Sequence, residues 1–123
     1  MESQIDDRTS CIVVNNPSNP CGSVFSRKHL EEIVAVSEKY KVPILADEVY
    51  DRLVHDEESE FISLAEIASD VPLIRANALS KAFCVPGWRL GWILVHNKHG
   101  YFDDVLANLN KMSMLNMHPS SLA

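Results

Sequence analysis

The chain has 123 residues and a formal net charge of −6, with 46% hydrophobic and 23% charged residues. That balance gives about one globular domain and not a disordered segment. The basic residues are dispersed, without the aromatic-interleaved stripe of a nucleic-acid surface, and no apolar run approaches the roughly 20 residues of a membrane span. The first ten residues, MESQIDDRTS, have neither a secretory h-region nor the arginines of a transit peptide. Cys11, Cys21 and Cys84 form no C-x-x-C pair, so neither a zinc site nor a disulfide framework is indicated. His96 and His99 fall at a strand end and a polar turn and read as solvated, not as metal ligands. The expectations are no metal, no nucleic acid, no membrane and a reducing, cytoplasmic setting.

In chain order, Cys11–Asn15 is a short β-branched run and reads as a buried strand. Asn15–Gly22 is dense in turn formers and reads as a loop. Ser26 offers an N-cap. Behind it Leu30, Ile33, Val34, Val36, Ser37 and Tyr40 share an arc of roughly 160° on a helical wheel, with Glu31, Glu32, Glu38 and Lys39 opposite. This predicts a helix over Ser26–Tyr40. Val42–Ala46 is a second strand, with Pro43 near its start, and leads into Asp47-Glu-Val-Tyr50. The acidic stretch His55–Glu60 reads as solvated surface. A short helix follows at Ser63–Ala68. Val71–Arg75 opens a third strand, and Leu90–His96 is a fourth. Tyr101 to about Leu115 forms a last helix, with Phe102, Val105, Leu106, Leu109 and Met112 apolar. No internal repeat or low-complexity segment is present.

Apolar strands separated by helices predict an α/β fold with a largely parallel sheet. Ligands of such sheets sit at the carboxyl ends of strands. Three segments fall there: the asparagine-rich loop, Asp47–Tyr50 and Ser80-Lys81. In the run Ala78–Trp92, Lys81 can form a Schiff base with an aldehyde. Ser80 and Arg89, which follows a Pro86-Gly87 turn, can hold a phosphate. Glu48 is expected on the opposite side of the extended chain from Asp47.

The segments Asn15-Asn-Pro-Ser-Asn-Pro-Cys-Gly-Ser-Val-Phe25, Ile44-Leu-Ala-Asp-Glu-Val-Tyr50, Leu79-Ser-Lys81 and Pro86-Gly-Trp-Arg-Leu-Gly-Trp92 together resemble the class I/II aminotransferases. These are the fold-type I enzymes of pyridoxal 5'-phosphate (PLP), and the tyrosine aminotransferase group is the nearest match. Order and spacing agree over nearly the whole chain. The resemblance implies that residues 1–123 are part of the large, PLP-binding domain of the aspartate aminotransferase-like fold. It implies transamination of an aromatic amino acid, with amino acid and 2-oxo acid as substrates and a homodimer as the complete enzyme. Lys81 would carry the cofactor aldehyde and move the substrate proton. Asp47 would pair with the pyridine nitrogen. Asn19 and Tyr50 would donate to the ring oxygen, with a cis bond between Asn19 and Pro20. Ser80 and Arg89 would hold the phosphate.

One position departs from the commoner family pattern: Ala78 stands where a further serine precedes Ser80 by two residues. Gly87 and Gly91 are expected to permit a turn and close strand packing, and Trp88 and Trp92 to pack. The family's enzymes are about three times longer. The family's phosphate-binding loop and the aromatic that stacks on PLP, which precede this stretch, and the arginine that takes the substrate carboxylate, which follows it, are not in it. The chain therefore reads as a partial sequence, expected to be poorly soluble and without transaminase activity when alone. A missing N-terminus leaves a mitochondrial address open. Another fold-type I PLP activity, or a truncated non-catalytic product, is the alternative.

Overall fold

A computed structural model describes residues 1–68 and 70–115; the expected extent of the domain to Ala123 runs past them. Strands β1 (Ile12–Asn15), β2 (Ile44–Asp47), β3 (Leu73–Ala78) and β4 (Gly91–His96) form one sheet in the order β1-β2-β3-β4. The first three are parallel and β4 is antiparallel to β3. Helices α1 (Arg27–Tyr40), α2 (Leu64–Ile67), α3 (Leu79–Ala82) and α4 (Asp103–Ser113) lie between and after them, with 3-10 turns at Glu2–Gln4 and Pro86–Trp88.

Helix α1 begins where the sequence supplies a cap. The Ser26 hydroxyl accepts from the His29 amide at 3.3 Å, satisfying one of the free N–H groups of a helix start. It ends at Lys41 in the left-handed region (φ 56°). The buried Ser37 hydroxyl donates to the Val42 carbonyl at 2.5 Å and so ties the helix end to the approach of β2. Leu30, Ile33 and Val34 of α1 meet Ile12, Val14, Ile44, Ala46 and Leu73 of the sheet, with Leu64 and Ala68 alongside. Each fully buried aliphatic chain contributes about 1.5–3 kcal/mol, so this single layer contact is the core.

Two boundaries differ from expectation. The third strand starts after Pro72 and runs on to Ala78, because β4 pairs with it out to Asn77↔Trp92 and Ala78↔Gly91. The one-turn α3 is an addition to the elements read from sequence. Its first amide, on Leu79, donates to the Leu90 carbonyl at 3.1 Å. Gly91 is needed here: a Cβ on it would lie 3.1 Å from the Asn77 carbonyl oxygen. Gly87 meets nothing within 4 Å and is not required by packing. Trp88, in the Pro86–Trp88 turn, and Trp92, on the edge strand β4, are each partly packed and more than a third exposed. Phe102, the residue before α4, is buried, whereas Val105 and Met112 of the helix are exposed.

The pleat sends Asp47 and Glu48 to opposite sides. Glu48 is 1% exposed. Its carboxylate accepts from the Ser63 hydroxyl (2.8 Å) and the Leu64 amide (2.9 Å) at the start of α2, and it pairs with Arg75 Nε of β3 at 2.5 Å. A buried carboxylate is tolerated only with such partners. Glu48→Gln is therefore expected to lower stability by about 1–3 kcal/mol, because it removes the nearer carboxylate partner of Arg75 and leaves Asp51 at 3.6 Å as the other. Asp47→Asn should change stability far less; thermal or denaturant unfolding of the two variants measures the contrast.

The other sheet face is open. It carries Val13, Leu45, Ile74 and Val95 in one registered row, and Val13 is 63% exposed. Ile93 and Leu94 on the β4 edge are also exposed. Apolar strand edges template association. The chain studied alone should bind a hydrophobic dye and self-associate, and Ile93→Lys should reduce both. A monomer in sedimentation velocity that leaves the dye dark would contradict this.

Candidate functional site

Parallel, in-register pairing sets Asn15, Asp47 and Ala76 level across β1, β2 and β3. Three chain segments therefore leave the sheet at the same end: the loop after Asn15, the turn after Asp47, and the stretch Asn77–Lys81. These are the three segments singled out from the sequence.

The first is a loop pinned from within. The Asn15 side chain accepts from the Asn19 amide at 2.6 Å and donates to the Asp47 carbonyl at 3.4 Å. Buried Asn16 accepts from the Phe25 amide at 2.8 Å. The Asn16–Pro17 and Asn19–Pro20 bonds are both cis. Gly22, at φ 70°, closes the loop with its amide on the Ser18 carbonyl at 2.8 Å; positive φ of that kind suits glycine.

The Asn19 side chain then reaches the second segment, where its amide lies 3.3 Å from the Tyr50 hydroxyl. Between Asn19, Pro20, Gly22, Tyr50 and Leu53 lies an open hollow of about 220 Å³. The third segment meets the same tyrosine: Lys81 Nζ lies 5.6 Å from the centre of the Tyr50 ring. Asp47 is half-buried on the open sheet face, and its carboxylate accepts from the Val49 amide at 3.3 Å. A larger hollow of about 560 Å³ opens at the other end of the sheet, by Ser37, Lys41, Pro72 and His99. None of the candidate residues lines it, and convergent chemistry outweighs size here.

The structure thus brings Asn19, Tyr50 and Lys81 together and sets Asp47 at the adjoining strand end. Ser80 and Arg89 are drawn near each other through the backbone, since the hydrogen bond from Leu79 to Leu90 joins their immediate neighbours. The Arg89 guanidinium itself donates to the Pro86 carbonyl at 3.0 Å, so no phosphate cradle with Ser80 is assembled. As a donor set the group suits a planar, anionic pyridine carrying an aldehyde. An amide and a hydroxyl within 3.3 Å can converge on one ring oxygen, a carboxylate lies on the sheet beside them, and an amine is within reach.

Sequence reasoning passed over two things. Asn15, which the sequence marks as a strand end and the start of a loop, also positions Asn19 through its side chain. Glu48, Asp51, Arg75 and Asn77 form a linked polar set behind the site: Arg75 Nη2 lies 3.6 Å from Asp51, and Asn77 donates to the same Asp51 oxygen at 2.8 Å. The signal available was an arginine two residues before an asparagine in an otherwise apolar strand, a pattern that places both on one face.

The sequence profile of the family "aminotransferase class I and II" matches residues 1–123. Tyrosine aminotransferase of Bos taurus is 48% identical over 123 residues, covering 99% of this chain and 27% of that protein. Among solved structures, tyrosine aminotransferase from Leishmania infantum superposes with a TM-score of 0.89 at 30% identity, over 97% of this chain and 29% of that one. Alanine aminotransferase from Pyrococcus furiosus gives 0.88 at 34% identity, over 95% and 29%. The chain spans little more than a quarter of the length of these relatives. With the profile matched from end to end, the chain belongs to the class I and II aminotransferases.

Proposed function

We propose that this chain is a portion of the large, PLP-binding domain of an aminotransferase that converts an aromatic amino acid, tyrosine foremost, to its 2-oxo acid. The observation that carries the reading is the meeting of Asn19, Tyr50 and Lys81 at one strand-end corner, beside the Asp47 carboxylate. The choice of substrate is supported by the 48% identity to the bovine tyrosine aminotransferase. A homodimer is the assembly proposed for the complete enzyme.

When bound, PLP supplies an aldehyde for the substrate amine and a ring that draws electrons from the substrate Cα. Lys81 would hold the cofactor aldehyde through its amine, and that amine would serve as the general base for the proton at the substrate Cα. Asp47 keeps a proton on the ring nitrogen by charge. Asn19 and Tyr50 donate hydrogen bonds to the ring oxygen and stabilise its negative charge. Ser80 and Arg89 would hold the phosphate, the hydroxyl and the guanidinium supplying its hydrogen-bond donors.

The test is borohydride reduction of the complete polypeptide after adding PLP, followed by peptide mapping. Label confined to Lys81 is the expected result; label spread over all lysines would overturn the reading. Lys81→Ala should also lower kcat for tyrosine by at least about 10²-fold, the scale of a lost proton-transfer group. Tyr50→Phe should keep the label on Lys81 but weaken PLP retention, read by equilibrium dialysis. Correct labelling with no keto acid formed from any aromatic amino acid would leave the cofactor reading standing and replace the substrate by that of another PLP enzyme of this fold.

A further inference from the structure

The polar set behind the site has a geometry that its structural role alone does not explain. Glu48 and Asp51 flank Val49 and Tyr50, and the Asp51 amide donates to the Glu48 carbonyl at 3.0 Å, closing the turn that carries Tyr50. Both carboxylates of this turn face one side chain from the neighbouring strand. Arg75 Nε pairs with Glu48 and Nη2 reaches Asp51 at 3.6 Å, so one guanidinium spans the two ends of the turn. Two residues along β3 on the same face, Asn77 donates to Asp51 at 2.8 Å and accepts from the Ala78 amide at 2.7 Å. Ala78 leads directly into Leu79-Ser80-Lys81.

We propose that Arg75 is a positioning residue: with Glu48, Asp51 and Asn77 it locks the Tyr50 turn against the Lys81 turn and so sets the distance between these two groups. The role rests on the reading of the site given above, but the clamp is a property of this chain's own residues. A guanidinium suits it because its charge is spread over nitrogens set apart in one plane, so that Nε and Nη2 can ion-pair with separate carboxylates, where an ammonium is a single point of charge. The backbone ties already present hold only the start of each segment, the Glu48 amide on the Ala76 carbonyl at 3.0 Å and the Leu79 amide on the Leu90 carbonyl at 3.1 Å, and the clamp adds the side-chain link between the Tyr50 turn and the approach to α3. A cofactor group placed between them needs both held within a fraction of an ångström.

The experiment compares Arg75→Lys and Asp51→Asn with the unaltered complete polypeptide. Both variants keep a partner for buried Glu48 and so preserve the fold, and Arg75→Met serves as the severe case. Amide exchange followed by mass spectrometry is read first, without cofactor. The expected result is exchange at least about tenfold faster in residues 48–53 and 78–84 together, with α1 unchanged. Equal acceleration through α1, or none in these segments, would overturn the proposal. The second reading is the pH midpoint of the visible absorption change of bound PLP. It should rise by about half a unit or more as the Tyr50 hydrogen bond to the anionic ring oxygen weakens. A local exchange response with an unmoved midpoint would reduce the set to a purely structural one and overturn the positioning role. If the unaltered protein takes up no PLP, the functional reading falls, and the exchange result alone decides whether Arg75 holds the two turns together.

Discussion

In-register parallel pairing of β1, β2 and β3 is the constraint on which the site depends. Parallel strands cannot be joined by tight hairpins, so the chain must return through α1 and through the segment containing α2 before each new strand starts. Those returns deposit the polar ends of all three strands at one level, and the levels are fixed by the ladder pairs from Asn15 to Asp47 to Ala76. A one-residue slip in β2 would exchange Asp47 and Glu48 between the open face and the buried side. The core contact with α1 resists such a slip, since Ile44 and Ala46 would leave the apolar layer together.

The adjacent carboxylates show how a single pleat divides labour. Glu48 accepts from the Ser63 hydroxyl and the Leu64 amide and is ion-paired with Arg75, so it is buried and committed to the fold. Asp47 has one local partner, its own turn's amide on Val49, and stays accessible on the other face. The first is fixed by the fold and the second is free to meet something else. Reaction chemistry does not require that the neighbour of an active carboxylate be charged. Here the neighbour's charge is what joins β2, β3 and α2 at the end where the site lies.

Much of this arrangement was legible in the residues. The β-branched runs, the Ser26 cap and the 3.6-residue spacing of Leu30, Ile33, Val34 and Ser37 specify strands and a helix by local chemistry alone. The three loops at strand ends could be placed once the fold class was read. The short α3 was not legible, because a four-residue turn has no periodicity and is held by a tertiary bond from Leu79 to Leu90. The extent of tryptophan burial was not legible either: Trp92 lies on an edge strand and Trp88 in the turn before it, and exposure there depends on what lies beside them, which composition does not encode. The Glu48–Arg75 pair is a contact between residues far apart in sequence, and single-residue reasoning could separate Glu48 from Asp47 but not find its partner. For Lys81 and Tyr50, the motif gave the chemistry and only the sheet register gave their proximity.

The backbone at Arg89 carries a last consequence. This residue sits in the left-handed region at φ 52°, a conformation that costs a non-glycine residue about 1 kcal/mol or more. Pro86 and Gly87 precede it, yet the sequence places its glycine two positions earlier than the geometry calls for one. Considered for folding alone, position 89 is a glycine site occupied by a large cation. A search for stabilising substitutions in this chain would reach it early and exchange the guanidinium for a hydrogen atom. Under the phosphate role proposed for Arg89, backbone stability and ligand capacity would be opposed at this one residue, and a thermostability screen that ignored binding would erase the guanidinium.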